Sequence, residues 1–272
     1  MIIAFPNLAT LIGLLVGGLI NVLADDLPTT YHIQLPHYPD GTPRPVTAWL
    51  GSLAFILFQR SSPDGAKLSW RYPLVEFVTA GLFAYVATVY GASGLSIFWM
   101  GTLAILILIT VIDLEHRMIL FIVVVPAYLY VLIGVALFNT QISDRITFRD
   151  YLLGGLMGFV VFLLMYLGGM LFSAVMASQR GEALSEVAFG YGDVMLATLS
   201  GLILGWQALI FAIFIAVFAG AAGALIFIVL RTYIKGEYEV FTALPYGQYI
   251  VFGTIIMMLW RAPVINYLQG MM

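Results

Sequence analysis

The sequence contains no cysteine, and only 9% of its 272 residues are charged. The absence of cysteine excludes disulfides, thiolate nucleophiles and zinc sites built on cysteine. Soluble domains carry about 25% charged residues, so the scarcity of charge excludes an ordinary soluble protein. No polar stretch approaches the roughly 100 residues of a soluble domain. With 62% hydrophobic residues, the chain is predicted to be an integral membrane protein.

Basic clusters are also missing, and the net charge is −3. A nucleic-acid partner is therefore not expected, because such partners need a concentrated basic surface. The apolar run at the N-terminus has neither a basic segment before it nor a clear small-residue cleavage site. We expect this run to be kept as the first membrane helix.

Long apolar runs predict an all-α polytopic membrane bundle of about eight transmembrane helices, each needing ~20 apolar residues. The predicted spans are residues 2–24, 72–91, 95–113, 118–138, 151–177, 193–209, 210–231 and 245–261. Residues 48–58 are apolar but too short to cross, so an interfacial or re-entrant segment is expected there. Small residues four positions apart, such as Gly154/Gly158 and Gly201/Gly205, are expected to let helices pack closely.

The distribution of Lys and Arg predicts the orientation. With eight spans, eight of these residues fall on one side and three on the other, so the first side is cytoplasmic by the positive-inside rule. If residues 48–58 crossed as a ninth span, the counts would be seven and four. Both arrangements place Asp113 and Asp193 at the cytoplasmic face.

Three acidic residues touch the predicted spans: Glu76, Asp113 and Asp193. Asp193 follows Gly190, Tyr191 and Gly192 and opens a long apolar run, where a carboxylate is costly unless it is paired, solvated or used. The glycines allow the backbone or a substrate to approach closely. The alternative is structural, since an aspartate in this place also serves as a helix N-cap.

Two aspartates within hydrogen-bonding reach share a proton, which raises one pKa. The ionised member then activates water for attack on an amide carbonyl, and the protonated member stabilises the oxyanion. No Ser-His-Asp set competes with this chemistry. The pair His32 and His37, near other acidic residues, matches no zinc spacing, so no metal is expected.

These segments resemble known motifs. Gly190-Tyr191-Gly192-Asp193 resembles the GxGD motif of membrane aspartyl proteases, and Ile112-Asp113-Leu114-Glu115-His116-Arg117 resembles the first-aspartate motif of bacterial type IV prepilin peptidases. Three further segments are similar to that family in the same order: Gly18-Leu19-Ile20-Asn21-Val22 followed by Leu27-Pro28, Arg71-Tyr72-Pro73-Leu74-Val75-Glu76, and Leu244-Pro245-Tyr246-Gly247-Gln248-Tyr249.

The resemblance implies a multi-pass enzyme of the inner (plasma) membrane that serves type IV pilus or secretion systems. Its partners would be the lipid bilayer and a prepilin or pseudopilin, whose short leader it removes at the cytoplasmic face. Asp113 and Asp193 would be the catalytic pair, with Gly190 and Gly192 supporting the second aspartate. Residues 1–71 would form the first span and a methyltransferase-like loop region, and residues 72–272 the peptidase core.

Departures from the family pattern bear on a second activity. Many members carry two CxxC pairs in the first loop and methylate the new N-terminus with S-adenosylmethionine. Residues 25–71 lack cysteine. We therefore expect the zinc-stabilised methyltransferase region of the family to be either absent from this chain or folded without a metal. S-adenosylmethionine would be a cofactor only if methylation is retained. Leu120 and Met195 replace a proline and a lysine that are usual in the family.

Two alternatives stay open. The first is a catalytically inactive family member that acts in pilus or secretion assembly. The second is a proton-coupled transporter, which would need polar residues or interrupted helices at the bilayer midplane. Within the peptidase interpretation, helix dipoles predict Asp193 as the base and Asp113 as the acid, because one opens a helix and the other ends one.

Overall fold

A computed structural model describes residues 4–142, 146–180, 190–235 and 246–261. Eight helices lie in these ranges: α1 Ala4–Asp26, α2 Gly51–Ile56, α3 Arg71–Tyr90, α4 Gly94–His116, α5 Phe121–Ile142, α6 Phe148–Arg180, α7 Tyr191–Lys235 and α8 Gly247–Leu259. A 3-10 turn covers Val46–Ala48. The only strand-like pairing among the described residues is two isolated bridges. The prediction of an all-α membrane protein is confirmed.

Six helices are long and apolar enough to cross a membrane, namely α1, α3, α4, α5, α6 and α7. Helix α7 is interrupted at Gly205, whose φ of 75° and ψ of 163° are not helical. Ser200 and Ala212, on either side of Gly205, contact the neighbouring α8 residues Thr254 and Gly253. In one continuous helix Ser200 and Ala212 would lie about 18 Å apart. The chain therefore reverses at Gly205.

Helix α7 thus consists of two antiparallel arms, as the separate spans 193–209 and 210–231 predicted, but the turn lies at Gly205 instead of between those spans. A non-glycine residue rarely adopts this φ, so the glycine fixes the position of the turn. When the two arms of α7 are counted separately and the shorter 13-residue α8 is included, the described residues contain eight apolar helical segments. This agrees with the prediction of about eight.

The chain forms two compact units, residues 1–116 and residues 117–272. In the first unit, α1 lies along α3, and both contact α4. Gly13 and Gly17 of α1 lie directly against the backbones of Ala80 and Glu76 in α3, a contact that larger side chains would prevent. The functional division predicted at residue 71 is a separate matter and stays a prediction.

The region between α1 and α3 has a small core of its own, made of Tyr38, Ala48, Ala54, Leu68 and Tyr72. Helix α2 belongs to this region. Its six residues extend about 9 Å, far less than a bilayer, so residues 48–58 do not cross as a helix. This part of the prediction is confirmed.

In the second unit, α6 and the first arm of α7 pack through glycine. The backbones of Gly154 and Gly201 touch, and Gly158 lies against the backbone of Ala197. The predicted close packing at these small residues is confirmed. Helix α5 contacts the same arm, where the Tyr128 hydroxyl donates to the carbonyl of Met195 at 2.8 Å.

Candidate catalytic aspartates

Asp113 lies in the last turn of α4, three residues before the helix ends at His116. Its side chain is only 6% exposed. After the helix the chain turns at Arg117, whose φ is +52°. The prediction that Asp113 lies at the carbonyl end of its helix is confirmed.

Charged side chains join the ends of three helices in the first unit. Arg71, at the start of α3, donates to Asp25 of α1 at 2.5 Å and also pairs with Glu115 of α4. Tyr72 donates its hydroxyl to the other oxygen of Asp25 at 2.9 Å. Glu115 is two residues from Asp113, so this network fixes the helix end that carries Asp113.

The network also bears on the protonation of Asp113. A nearby carboxylate such as Glu115 favours the protonated form of another carboxyl group by charge repulsion. Because Arg71 compensates the charge of Glu115, that contribution is reduced. The helix dipole remains as the reason to assign Asp113 the acid role.

Asp193 is the third residue of α7 and therefore lies in its first turn. Its Oδ2 accepts a hydrogen bond from the Gly190 N–H at 3.1 Å, and its own N–H donates to the Gly190 carbonyl at 3.1 Å. The carboxylate thus has a local capping contact, although the helix begins two residues earlier. The prediction that Asp193 opens a helix is confirmed.

Packing positions the glycines and the tyrosine of this motif. A Cβ at Gly192 would lie 2.9 Å from Cβ of Ile119, so the loop before α5 approaches the start of α7 as closely as glycine permits. The Tyr191 ring stacks on Phe121 with centroids 6.1 Å apart and meets Tyr166 edge-on at 5.9 Å. Gly192 therefore has a steric role at this position.

Sequence reasoning missed Tyr246 as a neighbour of the site. This residue precedes α8 and is close enough to Asp193 for the carboxylate charge to act on its phenol. The motif Leu244-Pro245-Tyr246-Gly247 contained the signal, but its spacing alone did not connect it to Asp193. Leu244 and Pro245 lie outside the described residues.

The two replacements noted in the sequence are both packed into the structure. Leu120 is buried and its carbonyl accepts backbone hydrogen bonds that begin α5. Met195 is also buried, and its carbonyl binds the Tyr128 hydroxyl. Neither side chain disturbs the helix that carries the nearby aspartate.

The residues of the loop region do not fit the zinc site that the family resemblance implies. The sequence supplies no cysteine, and among the described residues no three His, Asp or Glu side chains are grouped as metal ligands. His37 lies near Asp26, with 3.8 Å between Nδ1 and Oδ1. A single such contact does not make the four-ligand set of a structural zinc site.

Hydrogen bonds connect two similar turns where this region folds. Each turn contains Pro-Asp-Gly with its glycine at positive φ, 82° at Gly41 and 93° at Gly65. The Ser62 hydroxyl donates to Asp40 Oδ2 at 2.5 Å and joins the turns. This bond and the Thr42 N–H hold the pKa of Asp40 below its ordinary value.

Asp113 belongs to the first compact unit and Asp193 to the second. Each is placed at the expected end of its own helix. Their approach to form one catalytic pair stays a prediction.

Comparison with known proteins gives a consistent result. Residues 100–227 match the type IV leader peptidase family, and this range includes both aspartates. No solved structure gives a significant match to the chain.

The chain is similar to several named relatives. The prepilin leader peptidase/N-methyltransferase of Pseudomonas aeruginosa is 27% identical over 98% of this chain and 94% of the relative. The type 4 prepilin-like proteins leader peptide-processing enzyme of Escherichia coli is 28% identical over 93% of each chain. The Myxococcus xanthus prepilin leader peptidase/N-methyltransferase is 29% identical over 77% of this chain and 59% of its own length. Its motifs occur in the order of the type IV leader peptidase family and its membrane helices are in place, so the chain is similar to that family in sequence and in architecture.

Proposed function

We propose that this protein is a membrane aspartic endopeptidase that removes the N-terminal leader of type IV prepilins or pseudopilins. The observation that carries the proposal is the similarity to prepilin leader peptidases over almost the full length of both chains. The inner membrane is the proposed location, with cleavage at its cytoplasmic face. The Lys and Arg distribution supports that orientation.

We propose Asp113 and Asp193 as the catalytic pair. Their support is that each carboxylate lies in the terminal turn of a helix and within the family match. Two carboxyl groups brought together share one proton, so one serves as base while the other serves as acid. Because they titrate together, any measured pKa belongs to the pair.

The proposed roles follow from the helix ends. Asp193 lies at the positive end of α7, which favours its ionised form, and this carboxylate takes a proton from water. The water oxygen attacks the carbonyl carbon of the scissile amide. Protonated Asp113, at the negative end of α4, donates a hydrogen bond to the carbonyl oxygen as charge develops on it. When the C–N bond breaks, the leaving amine takes the proton that Asp193 received from the water.

The decisive experiment is cleavage of a model prepilin by the purified full-length protein. A cut at the leader boundary, detected by mass spectrometry, is the expected result. An intact prepilin under conditions in which the Pseudomonas aeruginosa relative cleaves it would favour the inactive assembly protein instead. A bound transition-state mimic would then test the roles, since opposite hydrogen bonding at its two oxygens would reverse the assignment.

We further propose that cleavage occurs without methylation. The relatives combine both activities in their names, but the loop region of this chain lacks every cysteine and does not fit zinc. Mature pilin released by this protein should have the mass of an unmodified N-terminus, with or without added S-adenosylmethionine. An added methyl group that depends on the protein would contradict this and would establish methylation without the cysteine motif.

A further inference from the structure

The region between α1 and α3 exposes an apolar surface that neither the peptidase chemistry nor the helix packing explains. It comprises residues 46–58, here called the interfacial segment. Six of its large hydrophobic side chains are exposed, namely Val46, Trp49, Leu53, Ile56, Leu57 and Phe58. Exposed fractions reach 65% at Ile56 and 95% at Phe58. An apolar cluster of this size indicates an interaction surface.

The segment has a clear inner and outer side. Gly51, Ser52 and Ala54 of α2 are buried, and Gly51 contacts Tyr72 at the start of α3. Leu53 and Ile56, three positions apart, share the opposite side of this helix and point outward. One side is thus committed to the protein, and the other is available to a partner.

Contacts with two membrane helices place the segment at the depth of the spans. Leu50 packs against Gly18, eight residues inside the end of α1, which corresponds to about 12 Å along the helix. Glu76, which binds α2, is five residues inside α3, or about 8 Å. Helix α3 has 20 residues, so its whole length is needed to cross the ~30 Å hydrocarbon layer. Residues 50–52 therefore lie deeper in the membrane than the first residue of α3.

Glu76 makes this depth possible for a short, irregular piece of chain. Its side chain is fully buried, and its two carboxylate oxygens accept the N–H groups of Gly51 at 2.5 Å and Ser52 at 2.8 Å. Backbone groups at membrane depth must be satisfied by the protein, because lipid offers no hydrogen bonds. A buried carboxyl group that accepts two backbone N–H groups is expected where lipid excludes water. In water, solvent molecules would accept those hydrogen bonds instead.

The residues beside the segment have the composition of a membrane interface. Arg60 lies over the rings of Phe55 and Trp70, at 4.8 and 5.7 Å from their centroids, and Lys67 is exposed nearby in sequence. Tryptophan and cations are enriched where membrane proteins meet the headgroups. Leu74, one turn into α3, is also an exposed large hydrophobic residue.

We propose that residues 46–58 form a re-entrant membrane anchor whose exposed side chains insert into the lipid at the boundary of headgroups and acyl chains. The occupant of the surface is lipid, since residues 50–52 contact two membrane helices well inside their ends and the cation of Arg60 lies over the Phe55 ring of the segment. The anchor holds the loop region of residues 27–70 against the membrane. This proposal does not depend on peptidase activity, and its test involves no cleavage.

The absence of cysteine makes a direct test practical. Single variants Ile56→Cys and Phe58→Cys, each carrying a spin label, are placed in lipid nanodiscs and compared with Asp64→Cys. Asp64 lies in an exposed polar turn of the same region and is the matched control. Collision with oxygen reports lipid exposure, and collision with a water-soluble nickel complex reports water exposure.

The expected result is a severalfold higher oxygen-to-nickel collision ratio at residues 56 and 58 than at residue 64. Nickel accessibility equal to that of the control would place the segment in water and overturn the proposal. Low collision with both reagents would show that protein covers the segment, which also overturns it.

A second measurement avoids labelling and guards against variants that do not fold. Fluorescence of the unlabelled protein is recorded in lipids brominated near the headgroup and in lipids brominated near the terminal methyl. The difference between the natural chain and Trp49→Phe isolates the signal of Trp49. Stronger quenching of this signal by the shallow bromines supports the anchor, and the absence of quenching contradicts it.

Discussion

In the unit of residues 1–116, charged side chains surround the helix end that carries Asp113, whereas in residues 117–272 aromatic rings and glycine contacts surround Asp193. Arg71 joins Asp25 and Glu115 in the first unit. In the second, Gly192 meets Ile119 and the neighbouring Tyr191 stacks on Phe121. An ionic network depends on the geometry of its donors, while a packed contact depends on volume. The helix end that carries Asp113 should therefore be sensitive to loss of charge and donor geometry. The helix end that carries Asp193 should be sensitive to added side-chain volume.

Removing either aspartate should have the largest effect. Asp113→Asn and Asp193→Asn should each reduce prepilin cleavage by about 10³-fold or more, and the double variant should lose little beyond that, because residues that act as a unit are not additive. Initial rates of cleavage by purified variants provide the measurement. Membrane insertion should be unchanged. Substantial activity in one single variant would remove that aspartate from the proposed pair.

Loss of the ionic network around Arg71 should have the second-largest effect. Arg71→Gln removes two charge-assisted hydrogen bonds and leaves Asp25 and Glu115 without their cation, at a cost of about 2 kcal/mol or more. The expected results are a lower melting temperature in detergent and slower cleavage. Arg71→Lys should restore only part of both, since a lysine cannot reproduce the two-armed geometry.

The control for this network is Arg149→Gln, which removes an exposed positive charge at the start of α6. This change should leave melting temperature and cleavage nearly as they are. If Arg71→Lys behaved like the natural protein, charge alone would be sufficient and the geometric argument would be wrong.

A smaller loss is expected from added volume in the second unit. Gly192→Ala places a methyl group against Ile119, and such overpacking costs about 1–3 kcal/mol. Cleavage should also fall, because relief of this contact shifts the start of the helix that carries Asp193. Truncation of the facing side chain in Gly192→Ala/Ile119→Ala should recover part of the activity.

Gly168→Ala is the matched control for the glycine, because nothing lies within 4 Å of the added Cβ in the middle of α6. It should be neutral or slightly stabilising, as alanine is the better helix former. Full activity in Gly192→Ala would show that close packing at that position is not needed.

The smallest effect concerns the turns of the loop region. The folded pKa of Asp40 is lowered by its hydrogen bonds, so its contribution to stability is present above the unfolded value of about 4 and is lost as pH falls through the lower folded value. Acidification below pH about 4 should therefore reduce the protease resistance of this region. A chelator at neutral pH should not change that resistance, because the region is expected to bind no zinc. Asp40→Asn should lack that acid-dependent step. Chelator sensitivity would instead indicate a bound metal.

The sequence was sufficient for features that depend on local pattern. Lengths of apolar runs identified the membrane helices, and the abrupt change from loop to apolar run placed Asp193 at a helix start and Asp113 at a helix end. Glycine spacing also identified the packed faces of α6 and α7. These inferences hold because helix formation in lipid is decided by hydrophobicity and backbone hydrogen bonding within one segment.

Only the tertiary structure decided which distant segments meet. Arg71 binds Asp25 and Glu115 from positions 46 and 44 residues away. Glu76 holds the N–H groups of Gly51 and Ser52, which explains a buried acid that the sequence marked only as unusual. Such contacts depend on which helices pack together and on how each helix is rotated about its own axis. No local sequence pattern encodes that rotation.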